Sequence, residues 1–251
     1  MPKRRVKMSK AKESLICDEQ ENSGEQPESV GSGSRLDDTG AVVVKIDGHI
    51  IYCLTIIGQI EGHSLLPSDS KTTKYEHVIP QLVAAQQSER VEGVLILLNT
   101  AGGDVEAGLA IAELISGLEK PTVSLVLGGG HSIGIPLAVS TDYSFIAKTA
   151  SMTVHPVRTN GVTVGVPQTF EYFRRMQERI NGFIAENSNI SADRYNSLAM
   201  NTGQLVLDVG TVLDGEEAVE QGLIDDIGTY CDAARKLCEL INKRKKDKKK
   251  K

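Results

Sequence analysis

No apolar run in the 251-residue sequence approaches the ~20 residues that span a bilayer. The N-terminus is charged and lacks the apolar core of a secretory signal. Cysteine is scarce, and its four copies, Cys17, Cys53, Cys231 and Cys238, show no C-x-x-C or similar metal-ligand spacing. Cys231 and Cys238 fall on one expected helix with α-carbons about 10 Å apart, too far for a disulfide. These absences point to a cytoplasmic protein with reduced, buried or incidental thiols and no metal site. Histidine is also scarce: His49, His63, His77, His131 and His155, with none beyond 155. No internal repeat of fixed period is visible.

A strongly basic body is absent too. The formal charge is −5, but the two ends hide a larger imbalance. Residues 1–13 carry six Lys/Arg and one acid, and residues 242–251 carry eight and one. The chain between them holds 14 basic and 31 acidic residues, a formal charge of −17. Nucleic-acid recognition needs a concentrated positive surface, so no nucleic-acid partner is expected.

What is present divides into three parts. Residues 1–40 are polar and rich in Ser, Glu and Gly, which predicts a disordered arm. Residues 41–241 have the patterning of an α/β domain. Residues 242–251 form a basic tail, read as a solubilising block or as a peripheral contact with an anionic membrane surface. Within the domain, 41–48 and 49–58 are β-branched runs expected as successive strands. Segment 75–87 has helical periodicity, with Pro80 tolerable only in a first turn. GVLILLN (93–99) reads as a strand buried on both faces. A glycine turn and a helix follow over 101–120, then a strand over 121–130 and a helix from 131. Short strands are expected in 143–157, helices at 170–190 and 191–201, a capped helix from Asp214, and a last helix at 231–244. Strand, glycine turn and helix in alternation indicate a parallel α/β core.

Three segments carry candidate chemistry. Asn99-Thr100-Ala101-Gly102-Gly103 joins a buried strand to a helix, where backbone N–H groups can stabilise an oxyanion; it also suits a plain tight turn. Gly130-His131-Ser132-Ile133-Gly134 contains G-x-S-x-G at a strand-to-helix junction, which can expose a nucleophilic hydroxyl on a sharp turn. The alternative is that Ser132 merely caps the next helix. A nucleophilic Ser needs a base. The histidine inventory excludes the α/β-hydrolase order, and His131 is adjacent to Ser132 and directed elsewhere, so His155 in MTVHP is the better base. Among acids, Asp208 in LVLDVG is favoured, because Asp214 reads as an N-cap with Glu217 completing a capping box and Asp225 and Asp226 as turn residues.

In combination these segments resemble the ClpP serine peptidases, whose fold is shared with the crotonase superfamily, from about Val42 to Gly228. ILLNTAGGDVEAGLAI is similar to that family's strand, glycine pair and helix, GGGHSIGIPLA to its nucleophile segment, MTVHP to its histidine segment, and GEEAVEQGLID to the helix and strand after its acid. The resemblance implies repeated strand-strand-helix units with a helical handle insert at about 158–205. It implies a serine endopeptidase with Ser132 as nucleophile and His155 as general base, and with the Gly103 and Ile133 amides as oxyanion hole; Asp208, favoured from the residues themselves, fits the acid's role only with a local shift. It implies a polypeptide substrate, a homo-oligomeric ring and no cofactor; nothing in the sequence identifies an ATPase partner. An ungapped count back from GEEAVEQGLID places Gly210, not Asp208, where the family has its acid. KTTKYEHVIPQ and VPQTFEY resemble a branch of the family linked to export of preproteins, which implies a role assisting translocation. Two other readings stand beside the peptidase: a non-catalytic scaffold of the same fold, and a crotonase-type acyl-CoA enzyme.

Overall fold

The structure, a computed structural model, describes residues 40–159, 165–203 and 209–248. The arm before residue 40, Asp208 and residues 249–251 lie outside the described residues. In chain order the elements are β1 (Ala41–Ile46), β2 (His49–Glu61), β3 (Thr72–Lys74), α1 (Tyr75–Gln87), β4 (Gly93–Gly103), α2 (Val105–Ser116), β5 (Thr122–Gly130) and α3 (Gly134–Val139). They continue with β6 (Tyr143–Ile146), β7 (Ser151–Val154), α4 (Val166–Glu186), α5 (Ala192–Ala199), β8 (Thr211–Asp214), α6 (Gly215–Glu220), β9 (Asp226–Ile227) and α7 (Tyr230–Lys248).

β1 and β2 form an antiparallel hairpin in which Ile46 pairs with His49. The loop residues Asp47 and Gly48 both have positive φ, 47° and 86°, the turn whose twist matches that of the flanking strands. From β2 onward the sheet is parallel in the order β2-β4-β5-β6-β9. β7 joins the end of β5 through Gly129 and Ser151 and pairs antiparallel with β8.

The alternation of the strands sorts their side chains into two cores. Leu54, Ile56, Ile96, Leu98 and Val126 pack in one cluster with Leu82 of α1, Ile111 of α2 and Leu137 of α3. Ile51, Cys53, Leu95, Val123 and Leu125 pack in another with Leu237, Cys238 and Ile241 of α7. Successive residues point to opposite faces and both faces are covered, so the continuous apolar run at 93–99 is what such a strand requires.

Four expectations are revised. β4 runs to Gly103 and β5 to Gly130, so the two expected glycine turns are strand ends; register shifts after Gly58 and Leu98 absorb the extra residues. Pro80 lies inside α1, past its first turn. Pro80 and Glu76, whose carbonyl loses its donor, are both exposed, so water can serve that carbonyl. α4 begins at Val166 with Pro167 in its first turn. α7 continues through the basic segment to Lys248, because Lys and Arg are good helix formers and their charge suits a helix C-terminus.

Candidate active site

Ser132 lies in the short connection between β5 and α3 with φ of +57°, one of two described non-glycine residues in the left-handed region. Such a backbone costs of order 1–2 kcal/mol and persists only where its surroundings hold it. Here four backbone bonds do so. His131 N donates to Thr100 O at 3.1 Å and Ser132 N to Thr153 O at 2.9 Å. Gly134 N donates to His131 O at 2.8 Å and Ile135 N to Ser132 O at 3.0 Å. The first helical turn takes Ile133 as N-cap without a side-chain capping bond, so Ser132 does not serve as the cap.

β7 delivers His155 one residue past its end. The ring is half-buried, and its Nδ1 bonds the carbonyl of Pro156 at 2.7 Å. Burial pushes the imidazole below its ordinary pKa, the Pro156 carbonyl works against that, and the charge of Arg158 adds to the depression. His131 points elsewhere: its Nδ1 bonds Thr153 Oγ1 at 2.9 Å. Burial, then the charge of His155, lower its pKa as well.

Gly103, Ser132, Ile133 and His155 all line one cavity of about 140 Å³, together with Ile180 of α4 and Tyr195 of α5. At Gly103 a Cβ would sit 2.2 Å from the carbonyl oxygen of Ile60, so only glycine lets β4 run that close to β2. Among the described residues the Ile133 amide has no hydrogen-bond partner. A larger cleft of about 610 Å³ shares Pro156 and Val157 with this cavity and runs between α4 and α5, past Phe170, Phe173 and Met200. The structure thus brings together four of the five residues singled out; Asp208, the fifth, lies outside the described residues.

The other acids are occupied elsewhere. Asp214 and Glu217 form a capping box on α6. Asp225 Oδ2 accepts from the amide and the hydroxyl of Ser144, both at 2.8 Å, and so ties the α6–β9 connection to β6. Gly210 stands against the base: a Cβ there would lie 2.5 Å from Val154 O and 3.0 Å from His155 Cβ, at a φ of +134°. Among the described residues no group of three or more His, Cys, Asp or Glu could hold a metal ion.

Sequence reasoning gave Pro156 the part of ending the strand at His155, and missed Thr153, Tyr195 and the Pro156 carbonyl. Thr153 and Pro156 act on the site through backbone carbonyls, which leave no side-chain signature. Tyr195 shares α5 with the buried Leu198 and Ala199, so its place at the site depends on how α5 docks.

The Clp protease family model matches residues 52–230. The translocation-enhancing protein TepA of Halalkalibacterium halodurans is 58% identical over 193 residues, 77% of this chain and 75% of that protein. An ATP-dependent Clp protease proteolytic subunit of Lactococcus lactis subsp. cremoris is 26% identical over 157 residues, 60% of this chain and 74% of its own length. A solved ClpP1 mutant from Listeria monocytogenes matches with a TM-score of 0.55 at 22% identity, over 72% of this chain and 94% of that one. That likeness shows the fold, an α/β sheet of the ClpP type.

Proposed function

Since the chain belongs to the Clp protease family, we propose that it is a serine-type endopeptidase with Ser132 as nucleophile and His155 as general base. The observation that carries this reading is the convergence of a left-handed Ser132, the His155 ring and an unpartnered Ile133 amide on one small cavity. In the proposed reaction Ser132 Oγ attacks the scissile carbonyl carbon and its proton passes to His155 Nε2. The proton then goes to the leaving amine. A water, deprotonated by the same nitrogen, hydrolyses the acyl-enzyme. The Gly103 and Ile133 amides face the oxyanion, where loss of one donor typically costs about 3–4 kcal/mol. The adjoining cleft between α4 and α5 is of a size and apolar character suited to polypeptide side chains.

The test is intact-mass detection of a fluorophosphonate or β-lactone adduct. The wild type should gain one adduct and Ser132→Ala none. A folded wild type that gains none favours a non-catalytic scaffold of the same fold, the reading to which Gly210 at the family's acid position gives support.

The finer assignments belong to the same proposal. The 58% identical relative is named for enhancing translocation, and we extend that role, acting on preproteins from the cytoplasm, to this chain. A homo-oligomeric ring is supported by the apolar residues left exposed at the start of α4, Val166 at 68% and Phe170 at 70%. The exposed basic end of α7 is the candidate for peripheral contact with an anionic membrane surface.

A further inference from the structure

We infer that the backbone carbonyl of Pro156 orients His155, so that Ser132 and His155 act as a dyad with no carboxylate on Nδ1. The inference rests on the peptidase reading above and goes further, to the part of the machinery that serine catalysis ordinarily gives to an acid.

A carbonyl oxygen only accepts. The 2.7 Å contact from Nδ1 to Pro156 O therefore places the proton of the neutral ring on Nδ1 and leaves the lone pair on Nε2, the tautomer a general base needs. Nδ1 has one N–H to give, and the carbonyl of the next residue already holds it. The bond is local, between adjacent residues, so no distant segment has to arrive to set the ring.

The surroundings agree. Where the acid would stand, the main chain of Gly210 lies directly on the histidine strand, too close to Val154 O for any side chain. That stretch is fixed from both sides: Gly210 N donates to Asn201 O at 2.7 Å, and Arg158 Nη2 donates to Val209 O at 3.0 Å. The titratable groups facing the ring among the described residues are His131, Arg158 and the buried Tyr195 phenol, which burial keeps neutral; none of them is a carboxylate. A carboxylate would favour the imidazolium; this environment disfavours it. The base accordingly deprotonates at lower pH than a free histidine.

The test measures the rate of fluorophosphonate labelling of Ser132 against pH in wild type, Asp208→Asn and Ser132→Ala. Loss of a true triad acid lowers turnover by about 10⁴. We expect Asp208→Asn to slow labelling by less than about tenfold, and the acid limb of the wild-type profile to fall below the ordinary histidine value of ~6.5. A larger loss in Asp208→Asn, or an acid limb above that value, overturns the dyad while leaving the peptidase reading intact. A folded wild type that is not labelled at any pH overturns both. Nitrogen NMR of the imidazoles provides a second readout that does not depend on the rate. Neutral His155 should hold its proton on Nδ1 in wild type and in Asp208→Asn alike, and a switch of tautomer in the variant overturns the inference.

Discussion

The backbone amide of Ser132 donates to the carbonyl of Thr153 at 2.9 Å. The same Thr153 binds His131 Nδ1 through its hydroxyl at 2.9 Å. Thr153 sits two residues before His155 on the strand that delivers the base, so one residue fixes the nucleophile's backbone, its neighbour's ring and the distance to the base. Thr153→Val keeps the backbone bond and leaves the half-buried His131 Nδ1 unpartnered, which should cost about 1–3 kcal/mol. Thermal unfolding should show the loss, Ser132 labelling should slow several-fold, and Thr153→Ser should restore both. Unchanged unfolding in Thr153→Val would show that the hydroxyl contributes nothing.

The left-handed backbone at Ser132 predicts a difference between two inactive variants. Ser132→Ala keeps the strained φ of +57° and Ser132→Gly relieves it. Ser132→Ala should stay within about 1 kcal/mol of wild type. Ser132→Gly should unfold at a higher temperature than Ser132→Ala, since a Cβ in that region costs of order 1 kcal/mol. The reverse order in calorimetry would mean that the strain is not borne at this residue.

Gly103→Ala should be severely destabilising. Its Cβ would meet Ile60 O at 2.2 Å with φ at +154°, so β4 must leave β2 at the rim of the site. Denaturant unfolding should show a loss of more than about 2 kcal/mol, with loss of labelling. A stable, fully labelled Gly103→Ala would contradict the close strand approach.

Stability should fall on acidification, and the two active-site histidines give the sign. Both His131 and His155 have folded-state pKa values lowered mainly by burial. The unfolded chain then binds more protons than the folded one between those lowered values and ~6.5. Their contribution is complete above ~6.5 and is lost as pH drops through the window below it. The midpoint of thermal unfolding, followed from pH 8 to pH 5, should drop less steeply in His131→Asn than in wild type. Equal slopes would remove His131 from the account.

Residues 242–248 are exposed on every side of the final helix and carry Lys243, Arg244, Lys245, Lys246 and Lys248. Juxtaposed to an anionic bilayer, each basic residue contributes about 1 kcal/mol. The full chain should float with phosphatidylserine vesicles at low salt and release as salt rises, and a chain lacking 243–251 should not. Equal flotation of the two would remove the membrane contact.

Much of the fold was legible because its signals are local. The run at 93–99 is apolar throughout, as a strand covered on both faces must be. Asp214 and Glu217 form the capping box their spacing announced. Other features depend on what lies across the chain. The periodicity of α4 could not separate core from surface: Met176, Ile180, Phe183 and Ile184 are buried while Phe170 is 70% exposed, because α4 packs against the helices α3 and α5 and its first turn is left open. The glycines at 102–103 and 128–130 look like turns in isolation, yet Gly102, Gly103, Gly129 and Gly130 all pair with neighbouring strands.

Residue identity by itself determined the order of the chemistry along the chain: a glycine pair, a serine between glycines, then a histidine before a proline. It also determined the alternation that builds the sheet. Only the tertiary structure decided which groups serve those residues. The carbonyls of Thr100, Thr153 and Pro156 and the amide of Ile133 are backbone groups that every residue type except proline supplies in full and that the sequence therefore cannot mark. Gly210 stands against His155 because β8 returns antiparallel along β7, a register set by long-range pairing. Side chains are written in the sequence, but the partners of backbone groups are fixed by how distant segments meet.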